Sequence, residues 1–181
     1  MAGSSSTGKR HVLVTMGMDH HPFQRLVDWS DGWLDAAPSD VEGLIQCGPA
    51  RTAHPERSVD FLDFPELEAR MASARVIACH AGPGSIMMAR WIGHRPVVVP
   101  RLAELGEVVD NHQITFARQL AAQGEVLLAE SEAAFREAMD TALASAGPAR
   151  SSADPLAMSE PIRRFDELIA DLVRTPRARA R

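Results

Sequence analysis

A chain of 181 residues, 45% hydrophobic and 24% charged with mean hydropathy −0.13, has the length and composition of one soluble globular domain with a real core. A formal charge of −5 and a pI near 5.8 exclude a general polyanion-binding role, nucleic acid included. Lys9 is the only lysine and tyrosine is absent, which removes Schiff-base lysines, phosphate-gripping lysines in a folded loop and Tyr–Lys dehydrogenase pairs.

The first ten residues are small and polar and read as a disordered tail, 1–10. They contain the pattern GxxxxGK from Gly3 to Lys9, but Arg10 stands where a P-loop needs Ser or Thr, and the pattern precedes the first strand instead of following one. It is rejected as a phosphate loop. Short apolar, β-branched runs follow at 12–15, 43–47, 59–62, 76–79, 97–99 and 126–128, and stretches of helical character lie at 22–36, 65–73, 84–92, 107–122 and 131–145. Consecutive apolar residues suit strands buried on both faces, so the alternation predicts a doubly wound, Rossmann-like parallel α/β sheet over 11–145. The connection from Gly48 to Ser58 reads as loop. A Pro/Ser/Ala-rich linker (146–159) leads to an amphipathic helix (160–174) with Ile162, Phe165, Leu168, Ile169 and Leu172 on one face, expected to pack on the same domain. Residues 175–181 form a basic tail. Cys47 and Cys79 end apolar runs and fit no metal spacing, so they read as buried reduced thiols. No apolar run reaches the roughly 20 residues that span a bilayer, and no signal core follows the N-terminal charges. The expected location is the cytoplasm, peripheral to the inner membrane face only through a partner.

In an open parallel sheet, ligands bind beyond the carboxyl ends of the strands. Three such ends carry polar residues and glycines: Met16–Pro22, His80–Ser85 and Glu107–Gln113. His80-Ala81-Gly82-Pro83-Gly84-Ser85 is the strongest of the three. Its glycines allow close backbone approach, and the helix start offers unpaired N–H groups to an anion. Ser85 adds a hydroxyl and His80 a ring donor. The same segment also fits a plain strand-to-helix turn. Asp110, Asn111, His112 and Gln113 combine acceptors and donors that suit vicinal sugar hydroxyls, or else a solvated first helical turn. His20-His21 lacks a third ligand at helical spacing, so no metal is assigned there.

Together, HVLVTMGMDHHPF, VDFLDF, HAGPGSIMMARWIGHRPVVVPR and GEVVDNHQITFA resemble the C-terminal, donor-binding domain of glycosyltransferase family 28. The likeness is to the small single-domain type, such as the catalytic subunit of the two-part N-acetylglucosaminyltransferase of dolichol-oligosaccharide synthesis and its bacterial exopolysaccharide equivalents. It implies the C-terminal half of a GT-B fold and a nucleotide-sugar-dependent hexosyltransferase. The donor would be a UDP-sugar, and there would be no cofactor or metal. Carried over by position, Thr15, Gly17, His80, Gly82, Gly84 and Ser85 would hold the diphosphate and Leu62 would lie beside the base. Asp110, Asn111, His112 and Gln113 would contact the donor sugar, and His20 is the candidate base. A membrane-anchored acceptor-binding partner and a lipid-linked or small-molecule acceptor are implied too. Met88 departs from the family, which usually places an acidic, ribose-binding residue there. A compensating neighbour, a dTDP-sugar donor or a non-catalytic nucleotide-sugar-binding module would each account for it. A single-domain transferase acting alone on a soluble acceptor is the remaining alternative.

Overall fold

The computed structural model describes residues 8–145. The expected linker, the helix over 160–174 and the basic tail lie outside the described residues, as does most of the N-terminal tail. Six strands, β1 (Arg10–Thr15), β2 (Val41–Gln46), β3 (Ser58–Val59), β4 (Val76–His80), β5 (Val97–Val99) and β6 (Leu127–Leu128), alternate with five helices. These are α1 (Gln24–Ala36), α2 (Phe64–Ser73), α3 (Pro83–Trp91), α4 (His112–Ala122) and α5 (Glu132–Ala144). All strand pairs are parallel, in the order β3-β2-β1-β4-β5-β6. The order reverses between β1 and β4, so the loops that leave these two strands border the crevice.

Alternation along each strand divides the core into two layers. Val12 and Val14, Val76 and Ala78, and Val97 and Val99 pack under α1 and α5 with Phe23, Leu26, Trp33, Phe135 and Met139. The intervening Leu13 and Ile77 face α2 and α3, and Cys79 and Val98 face α3 and α4. Each strand is therefore apolar on consecutive residues, which is why the sequence shows runs and not alternation. Both cysteines are free and buried, and burial pushes the Cys79 thiol up to about 12.

Among the boundaries that differ from the sequence reading, three have a clear local reason. Arg10, assigned to the tail, opens β1, where its guanidinium donates to both carboxylate oxygens of Asp40 (2.7 and 2.8 Å). β3 ends at Val59 and not at residue 62, because Asp60 turns to accept Gly48 N–H (3.0 Å) and Asp63 caps α2 by accepting Glu66 N–H (2.9 Å). α4 begins at His112 and not at 107. Glu107 and Asn111 use their side chains to accept Leu102 N–H (2.9 Å) and Ala103 N–H (2.9 Å), which keeps the segment between them as a loop. The 48–58 connection is a loop with one 3-10 turn, as its sequence indicates. It is held to α1 through Asp31, which accepts Thr52 Oγ1 (2.7 Å) and Ala53 N–H (3.1 Å).

Phe135 is fully buried between the sheet and Trp29, with ring centroids 6.0 Å apart. Phe135→Ala is expected to lower unfolding free energy by about 3–5 kcal/mol. Urea titration followed by circular dichroism, with an unchanged m-value, would check it.

Candidate active site

The turn from β4 into α3 is shaped around one imidazole. His80 is the last residue of β4, and Gly82 caps α3, with Pro83 at the first helical position. Proline lacks an N–H and leaves those of Gly84 and Ser85 facing outward on the first turn. Gly17, in the loop after β1, has φ +73°, a conformation that favours glycine. A Cβ built on it would lie 2.3 Å from His80 Cε1, and one on Gly82 would lie 2.1 Å from His80 Nε2. The His80 ring thus sits clasped between two glycines from different loops, and only glycine permits that approach. Burial, together with the charge of Arg101, pushes the His80 pKa down to about 4; the Thr15 backbone and Asp19 oppose the shift. The ring is neutral at physiological pH, and its buried Nδ1 makes no hydrogen bond.

Arg101 was not singled out by the sequence, yet it is fully buried and organises the site. Its Nη1 donates to the carbonyls of His21 and Glu107 (both 2.8 Å), and its Nη2 donates to that of Met16 (2.9 Å). The guanidinium also lies over Phe23, 4.6 Å from the ring centroid. Its backbone N–H donates to Gln113 Oε1 (3.2 Å). The Glu107 carboxylate accepts two hydrogen bonds from Arg25 of α1 (3.0 and 2.8 Å). One buried cation therefore ties the β1 loop, the β5 loop and the start of α4. The only sequence signal was an arginine at the end of the run Val97–Pro100, a residue type that usually marks solvent.

The structure sorts the expected site residues into three groups. Gly17, His80, Gly82, Gly84 and Ser85 come together at the crevice as the sequence suggested. Asp110, Asn111 and His112 are exposed at the start of α4, where Asp110 accepts His112 N–H (2.9 Å) and also pairs with the His112 ring. These bonds hold the Asp110 carboxyl below the usual carboxylate range. Gln113 is buried, and its Oε1 is taken by Arg101. Thr15 and Leu62 are placed differently. Thr15 is fully buried and its hydroxyl accepts Gly17 N–H (3.2 Å), so it holds the loop instead of lining the crevice. The Leu62 side chain is buried with Leu13, Met71, Ile77 and Ala89 in the core beneath α2 and α3, and exposed Phe61 and Phe64 flank it in sequence. Met88 packs against that same cluster. His20 is 87% exposed at its side chain, with Nδ1 3.7 Å from Asp19 Oδ1.

Residues 11–150 match the glycosyltransferase family 28 C-terminal domain. The chain belongs to that family. It is 36% identical over 134 residues to a protein of Yarrowia lipolytica named UDP-N-acetylglucosamine transferase subunit ALG13, a match that covers 65% of this chain and 63% of that one. The solved structure of MurG from Acinetobacter baumannii superposes with TM-score 0.58 at 17% identity, covering 90% of this chain and 51% of that chain. CalG4, the calicheamicin glycosyltransferase, superposes with TM-score 0.56 at 18% identity, covering 95% and 44%. This family 28 domain therefore has the Rossmann-like fold of one half of a GT-B protein, as its motifs implied. No helix among the described residues is long and apolar enough to cross a membrane.

Two outcomes follow from the clasped imidazole. Gly82→Ala is expected to cost about 1–3 kcal/mol in the native background and less than about 0.5 kcal/mol when His80 is already alanine, since the nearest atoms to the new methyl are all of His80. A thermal-unfolding double-mutant cycle reads the difference. The second concerns pH. The unfolded chain takes up a proton on His80 near the ordinary histidine value, while the folded chain resists until about pH 4. Stability is therefore lost as pH falls from about 6.5 to about 4 and is level above that window. His80→Gln should flatten the slope and leave the smaller share from His94, whose burial lowers its pKa as well.

Proposed function

We propose that the chain is the donor-binding half of a glycosyltransferase. On this reading it binds a nucleoside-diphosphate sugar at the β4–α3 turn and transfers the hexosyl or N-acetylhexosaminyl group to an acceptor held by a membrane-anchored partner. The observation that carries the proposal is the clasp itself: an outward helix start, two glycines and a neutral ring donor at the topological switch point, backed by a buried guanidinium. The name of the Yarrowia relative, a transferase subunit for UDP-N-acetylglucosamine, supports both the donor class and the need for a partner.

The arrangement suits a diphosphate without lysine. The N–H groups of Gly84 and Ser85 and the positive end of α3 meet the phosphate oxygens, and the Arg101 charge raises the local potential without taking a hydrogen-bonding place. Such donors are preorganised and act most strongly on the charge that grows as the diphosphate leaves. Asp110, Asn111 and His112 would lie towards the sugar hydroxyls, and Gln113 can offer only its amide N–H, since its oxygen is committed.

Met88 supports a second reading, a binding module without turnover. Its thioether packs against the cluster around Leu62 and presents no acceptor for ribose hydroxyls. Calorimetric titration of the full chain with UDP-N-acetylglucosamine and with dTDP-glucose tests the donor site that both readings share. Binding of either supports a donor site, and binding of neither overturns both. Met88→Glu should tighten UDP binding roughly tenfold if the missing carboxylate weakens ribose recognition, on the order of one hydrogen bond to a charged group. Unchanged affinity would show that the ribose is not held from that position.

A further inference from the structure

The loop after β1 contains a His–Asp pair that the donor site does not use. His21 donates its backbone N–H to Asp19 Oδ1 (2.9 Å), and its ring Nδ1 lies 2.7 Å from the same oxygen. The backbone carbonyl of His21 accepts from buried Arg101, so the residue is fixed at both its peptide and its ring. Its side chain is 26% exposed against 87% for the adjacent His20, whose ring rests on it with centroids 4.0 Å apart. Two residues before Asp19 stands Gly17, against the His80 ring, so this pair lies on the loop that borders the phosphate cradle.

We infer that His21, not His20, is the base that accepts the acceptor's proton, and that Asp19 is its positioning residue. The inference rests on the donor site proposed above. With Nδ1–H donated to Asp19, the free lone pair is on Nε2. The acceptor hydroxyl passes its proton to Nε2 as its oxygen bonds to the anomeric carbon. The bond from that carbon to the β-phosphate oxygen breaks, and its electron pair leaves with the nucleoside diphosphate. His21 then releases the proton to water. Hydrogen bonding keeps Asp19 ionised: partial burial works against it, but both bonds from His21 and the Arg101 charge hold its pKa below the usual value.

Other histidines serve less well. His80 has a buried Nδ1 and resists protonation. His112 makes a similar pair with Asp110, but both side chains are more than 60% exposed. The charged and titratable groups in contact with His21 are Asp19 and His20 on its own loop and Arg101 from the β5 side, whose Nη1 also meets the Glu107 carbonyl; Asp19 in turn acts on His80 of β4.

The test uses the full chain with UDP-N-acetylglucosamine, taking water as the nucleophile. Calorimetry measures binding, and UDP release is followed from pH 5 to 9. His21→Gln is expected to bind the donor within twofold of the native chain, to release UDP at least tenfold more slowly and to lose the fall in rate at acid pH. His20→Gln should keep both the rate and the pH profile. Asp19→Asn should lower the rate and alter the pH profile while binding is retained. If the native chain does not bind the donor, the donor-site reading fails and takes this inference with it. If it binds but His21→Gln releases UDP at the native rate, or release is absent from the native chain, or His20→Gln is the slow variant, the inference alone is overturned.

Discussion

The buried guanidinium of Arg101 is the constraint on which the crevice depends. A charge removed from water is tolerated where its N–H groups meet well-placed acceptors, and here those acceptors are three backbone carbonyls from two loops. Carbonyls accept hydrogen bonds without cancelling the charge. The cation therefore keeps its charge, while its geometry fixes Met16, His21 and Glu107 relative to one another. Asp19 and Glu107 offset part of the cost of burial.

The donor site proposed above would in this way bind an anion in a protein with one lysine. Three sources of partial or shielded positive charge are assembled: the N-terminus of α3, a neutral imidazole donor and a cation one layer below. None is a flexible side chain that must be ordered on binding. The glycines at 17 and 82 are the steric condition for this, because either methyl group would strike the ring. The same loop that supplies Gly17 supplies Asp19 and His21, so the proposed donor cradle and the proposed base share one anchored segment.

The fold was readable from the chain because doubly buried strands and amphipathic helices write themselves as local patterns. Val97–Val99 was recovered to the residue, and α2, α3 and α5 within one or two positions. The start of α4 was missed because the acceptors that hold 107–111 out of helix are side chains of Glu107 and Asn111, whose partners are backbone groups several residues away. The β4–α3 turn was legible for the same reason the helices were: glycine, proline and serine act where they stand. The side chains of Thr15 and Leu62 turn inward, which position after a strand does not reveal.

The sequence by itself determined the layer order, the glycine-rich turn and the exclusion of lysine chemistry, since each depends on residue type and short spacing. The tertiary structure alone decided that Arg101 is interior, that the His80 ring is neutral and enclosed, and that His21 rather than His20 is held by Asp19. At the crevice, hydrogen bonds join residues 85 positions apart, from Met16 to Arg101, and a desolvated charge takes its meaning from neighbours that no local pattern names.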